Sequence, residues 1–183
     1  TDSSAASDVY KRQALIEVLY ASGMRVSELV SLRKSLFIGT PEIILIKGKG
    51  NKERMVPISK LAISAIKKYL AELKKTNIAF YESDFLFPSR SKNGYLNRER
   101  FFLIIKKIAK FAGLNSRDVS PHKIRHAFAS HLLSNGADLR VIQTLLGHKN
   151  LSTTEIYTHI LDEKMIKSVQ ENHPFAKKDF KNL

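Results

Sequence analysis

The chain of 183 residues contains no cysteine. Disulfides, thiolate nucleophiles and the usual structural zinc sites are therefore excluded, and a reducing compartment fits. No apolar run approaches the roughly 20 residues that a membrane-spanning helix needs. The opening TDSSAASDVYKRQ lacks the basic-then-apolar order of a signal peptide and has no initiating methionine. It reads as the start of a piece cut from a longer chain, with a cytoplasmic location and no membrane insertion expected. Acidic residues are also scarce, 17 Asp and Glu against 31 Lys and Arg, for a formal charge of +14. That excess favours a polyanionic partner, nucleic acid first, with an anionic membrane or an acidic protein as alternatives. A hydrophobic fraction of 43% is enough to fill a core.

Periodicity places the elements. Residues 1–9 read as a polar lead-in or linker end. Ala14, Leu15, Val18 and Leu19 recur at helical spacing up to Gly23, and SELVSL reads as a short second helix capped by Ser27. EIILIKG and ERMVPI, separated by GKGNK, read as an antiparallel hairpin, and residues 36–39 are expected as a third, edge strand. The rest reads as helices over 59–75, 97–112 and 120–133, the last opened by Ser120 and Pro121. Asp138 and Ser152 are expected to cap two more, the second carrying Tyr157, and 162–171 a last one. The expected fold is mainly α with a small antiparallel β-sheet (α+β), in a single domain. Lys and Arg outnumber acids eight to two over 98–125 and five to one over 60–75. Beside the polar constellation described next, such faces suit tracking of a nucleic-acid backbone.

In SPHKIRH, His122 and Arg125 are three apart and share a helix face, with His126 a rival for that face. Arginine's planar fork suits two phosphate oxygens, and a helix start favours an anion. An exposed arginine beside a histidine satisfied in the core remains the plainer alternative. His122 and His126 have metal-ligand spacing, but no third ligand is evident and no zinc signature is present, so no metal and no cofactor are expected. GKGNKER is not a phosphate-binding P-loop, because no Ser or Thr follows the lysine and a strand follows the turn. A lysine at a hairpin tip can still reach into a groove and, if desolvated, donate a proton.

YASGMRVSELVSL, GKGNKERMVPI and SPHKIRHAFASHLLSNGADLRVIQTLLGHKNLSTTEIYTH together resemble the catalytic domain of the tyrosine recombinases, or phage integrases. The wording is nearest to their bacterial Xer branch. The resemblance covers about 10–174, with the H-x-x-R and H-x(8)-Y spacings in order; 175–183 remains as a basic tail. It implies that Arg25, Lys49, His122, Arg125, His148 and Tyr157 are the catalytic residues. Glu28 would orient Arg25. Of six tyrosines, only Tyr157 follows the GHKN turn and is flanked by polar Thr158 and His159.

The resemblance also implies a reaction. Arg25, Arg125 and His148 would bind the phosphate, His122 would assist Tyr157, and Lys49 would protonate the leaving 5′-oxygen. The product is a 3′-phosphotyrosyl link, formed without metal or ATP. The implied partners are double-stranded DNA and a second Xer-type recombinase in a tetrameric synapse on DNA, with a septal DNA translocase as a further candidate. Resolution of chromosome dimers at a dif-like site is the expected role. Integration or excision of a mobile element is the alternative, and a catalytically inactive DNA-binding protein the alternative of another class. A type IB topoisomerase shares the chemistry. An N-terminal core-binding domain is missing from this sequence, and the helix that precedes the YASG block in the family is expected to be missing too. Residues 162–173 are the candidate segment for docking into a neighbour.

Overall fold

A computed structural model describes residues 2–48, 53–147 and 167–174. Helix α1 (Asp2–Ser22) leads into the short α2 (Val26–Val30), a 3-10 turn at Lys34–Phe37, and strands β1 (Ile43–Lys47) and β2 (Glu53–Pro57). Five helices follow: α3 (Lys60–Thr76), α4 (Ile78–Glu82), α5 (Arg98–Phe111), α6 (Pro121–Ser134) and α7 (Leu139–Leu146). Residues 167–172 are helical as well. The mainly helical fold with one small antiparallel sheet is the expected one.

Four expectations are corrected. Residues 2–9 are not a lead-in but the first turns of α1, which supplies the helix expected to be missing before the YASG block. Helix α2 is capped at Arg25 rather than Ser27, because the Glu28 carboxylate reaches back to accept the Arg25 backbone N–H at 2.7 Å. Residues 36–39 add no strand: among the described residues the sheet has two strands, and Lys34–Phe37 coils instead. Helix α4 was not expected; Asn77 ends α3 and caps α4 through its side chain, which accepts from Phe80 N. Elsewhere local chemistry acts as read. Ser120 caps α6 ahead of Pro121, and Asp138 caps α7; Ser59, not singled out from the sequence, caps α3. The helix expected from Ser152 through Tyr157 lies outside the described residues.

The hairpin pairs Ile44 with Val56 and Ile46 with Arg54. Ile44, Ile46, Val56 and Ile58 are buried with Leu15, Val18 and Leu19 of α1 and Ala65, Ile66 and Tyr69 of α3. A second apolar cluster joins Phe128 and Leu132 of α6, Val141, Ile142 and Leu145 of α7, and Val169.

Gly23 brings the second cluster against α1. It sits in the left-handed region at φ +57°, and the Phe128 ring occupies the space that a Cβ would take. Gly23→Ala must therefore bear both backbone strain and overpacking. A loss of about 2–4 kcal/mol is expected, read as a lower urea midpoint at unchanged slope.

Candidate active site

Gly23 also begins the polar site. Arg125 lies on α6 one turn before Phe128, and once Phe128 packs on Gly23 its guanidinium reaches back. Nη1 donates to Gly23 O, and Nη2 donates to Leu146 O at 2.5 Å. Arg25, at the start of α2, donates through Nη1 to Glu28 Oε1 at 3.2 Å and through Nη2 to Gly147 O at 3.1 Å. Two arginines widely separated in sequence thus converge on the last turn of α7.

A third arginine, not singled out from the sequence, completes the group. Arg54 forks onto Glu28, with Nη1 to Oε1 at 2.6 Å and Nη2 to Oε2 at 2.7 Å, while its Nε donates to Leu145 O at 3.1 Å. The sequence carried a signal for it. Strand alternation puts residues 54, 56 and 58 on one face, and Val56 and Ile58 are core. An arginine at such a position needs a buried partner, and Glu28 is that partner.

Leu145, Leu146 and Gly147 therefore each give one backbone carbonyl to one arginine: Arg54, Arg125 and Arg25 in turn. These carbonyls form the negative end of the helix dipole and have no acceptor duty within the helix. Gly147, at φ +65°, closes the helix, and a Cβ there would stand 3.2 Å from the Arg54 Cδ.

The charge balance shows what the cradle can accept. Three guanidinium groups face one carboxylate. Burial alone would raise the Glu28 carboxyl. The Arg54 side chain, the Arg25 backbone N–H and the two guanidinium charges outweigh it and hold Glu28 below its usual range. Arg125 is pulled down to about 10, by burial first and then by the like charges of Arg25 and Arg54, against a partial offset from Glu28. An anion placed among these groups would relieve that repulsion. Arg25 keeps 41% of its side chain exposed, against 11% for Arg54 and 6% for Glu28, so Arg25 faces outward and the other two lie beneath it.

His122 sits in the first turn of α6, exposed and one turn before Arg125, and His126 is exposed too. Lys49, His148 and Tyr157 lie outside the described residues. In sequence, Lys49 follows β1 by two positions, and His148 directly follows Gly147. The structure brings together Arg25, Glu28 and Arg125 of the expected set and adds Arg54.

Behind the site, His173 was also missed by the sequence reading. It is buried, donates from Nε2 to Tyr20 O at 3.3 Å and packs edge-on against the Tyr20 ring, whose hydroxyl shares a 2.7 Å hydrogen bond with His131 Nδ1. Burial lowers the His173 pKa below 6.5; the bond to Tyr20 opposes this and the His131 charge adds to it. A lowered imidazole pKa favours the docked segment above pH 6.5, and that contribution fades as the pH falls from 6.5 through the lowered value. Amide protection at 167–174, taken relative to intrinsic exchange at each pH, should therefore fall as the pH drops below 6.5, and His173→Phe should remove that pH dependence.

The profile of the phage integrase family matches residues 2–164. The chain is 52% identical over 167 residues to tyrosine recombinase XerD of Rhizobium meliloti, covering 91% of this chain and 53% of that protein. Against XerD of Agrobacterium fabrum it is 52% identical over 183 residues, covering 92% and 54%. Among solved structures it resembles the integrase of mycobacterium phage Brujita (TM-score 0.71, 26% identity, 91% of this chain and 53% of that one). It also resembles the XerH site-specific recombinase bound to its difH substrate before cleavage (0.66, 33%, 86% and 45%). This chain belongs to the phage integrase family, the tyrosine recombinases. It spans about half the length of the curated relatives that it matches.

Proposed function

We propose that this chain carries the catalytic domain, from α1 to residue 174, of a site-specific DNA recombinase of the Xer type. The observation that carries the reading is the cradle of Arg25, Arg54 and Arg125 on one carboxylate and one helix end. Phosphodiester cleavage builds charge on the nonbridging oxygens, and guanidinium groups fixed in advance stabilise it without reorganising. Arg25 and Arg125 face that phosphate, and His148 adds a hydrogen bond. Tyr157 attacks phosphorus, with His122 assisting removal of a phenolic proton whose ordinary pKa is about 10. Lys49 gives a proton to the 5′-oxygen as the P–O bond breaks. The bond lost to DNA is kept as a 3′-phosphotyrosyl ester, so a partner strand's 5′-hydroxyl can rejoin it with no energy source.

The substrate is double-stranded DNA, and the excess of basic residues supplies its sequence-independent grip. The work takes place in the cytoplasm, on the nucleoid. Relatives named XerD and the neighbour XerH bound to difH support a dif-like site; we take that site to be chromosomal and worked with a second recombinase in a tetramer. The fold likeness to a phage integrase favours a second reading, insertion or excision of a mobile element. Nicked suicide duplexes carrying a candidate chromosomal site, a phage attachment site or scrambled sequence separate these readings. The full-length enzyme should give a denaturation-resistant protein–DNA band on the chromosomal site alone. A band on the attachment site alone assigns the second reading, and a band on all three points to topoisomerase-like use.

A further inference from the structure

Within the cradle, Arg54 occupies a different place from its two neighbours. All three of its bonds run inward, two to Glu28 and one to Leu145 O. It joins three segments that have no covalent reason to be adjacent: β2, the start of α2 and the end of α7. Glu28 meanwhile touches Arg25 twice, through the backbone N–H and through Nη1. The aim of Arg25 thus depends on a carboxylate whose own position is set by the Arg54 fork. The carbonyl that Arg54 holds is next in sequence to the one on Arg125, and two before the one on Arg25.

We propose that Arg54 is a positioning residue. By clamping Glu28 and the last turn of α7 onto strand β2, it fixes Arg25 and Arg125 in place before DNA arrives. This rests on the recombinase reading above and extends it. Arg54 touches no DNA and reacts with nothing. Arg54 ties β2 to the last turn of α7, two elements that adjoin Lys49 and His148 in sequence. A lysine can supply the charge at this position but not the fork, and it cannot grip both carboxylate oxygens and a carbonyl at once.

The test compares Arg54→Lys with wild type in the full-length enzyme. Noncovalent DNA affinity should hold within about threefold, while single-turnover cleavage at saturating DNA falls about 10²-fold, as expected for misplaced catalytic groups. A second readout is independent of cleavage. The guanidinium proton resonances of Arg25 and Arg125 should be resolved in wild type and averaged in Arg54→Lys. Should Arg54→Lys fail to fold, Glu28→Met combined with Arg54→Met removes the buried pair together, a replacement that proteins often tolerate. That variant should melt near wild type and still lose both cleavage and the resolved arginine resonances. Wild-type cleavage by either folded variant, or unchanged resonances of Arg25 and Arg125, would overturn the proposal. If wild-type enzyme forms no adduct on any duplex, the recombinase reading fails instead, and the resonances alone decide the role of Arg54.

Discussion

Tyr157→Phe should reduce the covalent protein–DNA adduct to background while noncovalent affinity for the same duplex stays within about twofold. Removing one oxygen deletes the proposed nucleophile and leaves Arg25 and Arg125 in place to hold the phosphate. The other tyrosines are poor substitutes on structural grounds. The Tyr69 hydroxyl is fully buried, and its pKa is pushed far upward by burial. The Tyr20 hydroxyl is bonded to His131, and burial raises its pKa. Tyr10, Tyr81 and Tyr95 are partly buried and packed on the main core. Denaturing gels after incubation with a nicked suicide duplex give the answer, and an adduct that persists in Tyr157→Phe places the nucleophile elsewhere.

Arg125→Ala should lower cleavage by at least about 10²–10³-fold, the usual effect of deleting one donor to a developing oxyanion. Its influence on the fold is separable. The truncation leaves Gly23 O and Leu146 O without their donor, a cost of about 1–3 kcal/mol if both remain dry. Urea melts register that loss, whereas single-turnover cleavage at saturating DNA and low denaturant does not. The slope of log affinity against log salt should shrink by about 1 if Arg125 meets a phosphate directly. Equal losses of binding and cleavage would reduce Arg125 to a backbone contact.

The sequence disclosed these elements unevenly. Caps made by short polar side chains were legible at Ser120 and Asp138, because such residues satisfy N–H groups within their own turn. The start of α2 was not, since its N–H partner lies three residues ahead in Glu28, and Ser27 looks the better cap by type alone. The third strand failed for a related reason: residues 36–39 are apolar enough for either state, and tertiary packing made Lys34–Phe37 a 3-10 turn. Arg25, Glu28 and Arg125 were identified through family resemblance. Arg54 and His173 escaped because each owes its role to a partner distant in sequence. The alternation around Val56 did mark Arg54 as an inward charge, and that clue went unused. Lys49, His148 and Tyr157 lie outside the described residues and rest on motif spacing.

The three carbonyls at the end of α7 also bear on how the protein is made. Arg25 bonds a carbonyl 122 residues further along, and Arg54 bonds one 91 residues further along. Contacts at such separations must await the closure of large loops. On a ribosome they must await emergence of the later segment as well. A chain stopped before α7 would contain Arg25, Glu28, Arg54 and Arg125 without the three carbonyls that complete the cradle. The assembled cradle is thereby withheld from unfinished and truncated copies, and it arises only when the end of α7 has folded back upon α2 and β2.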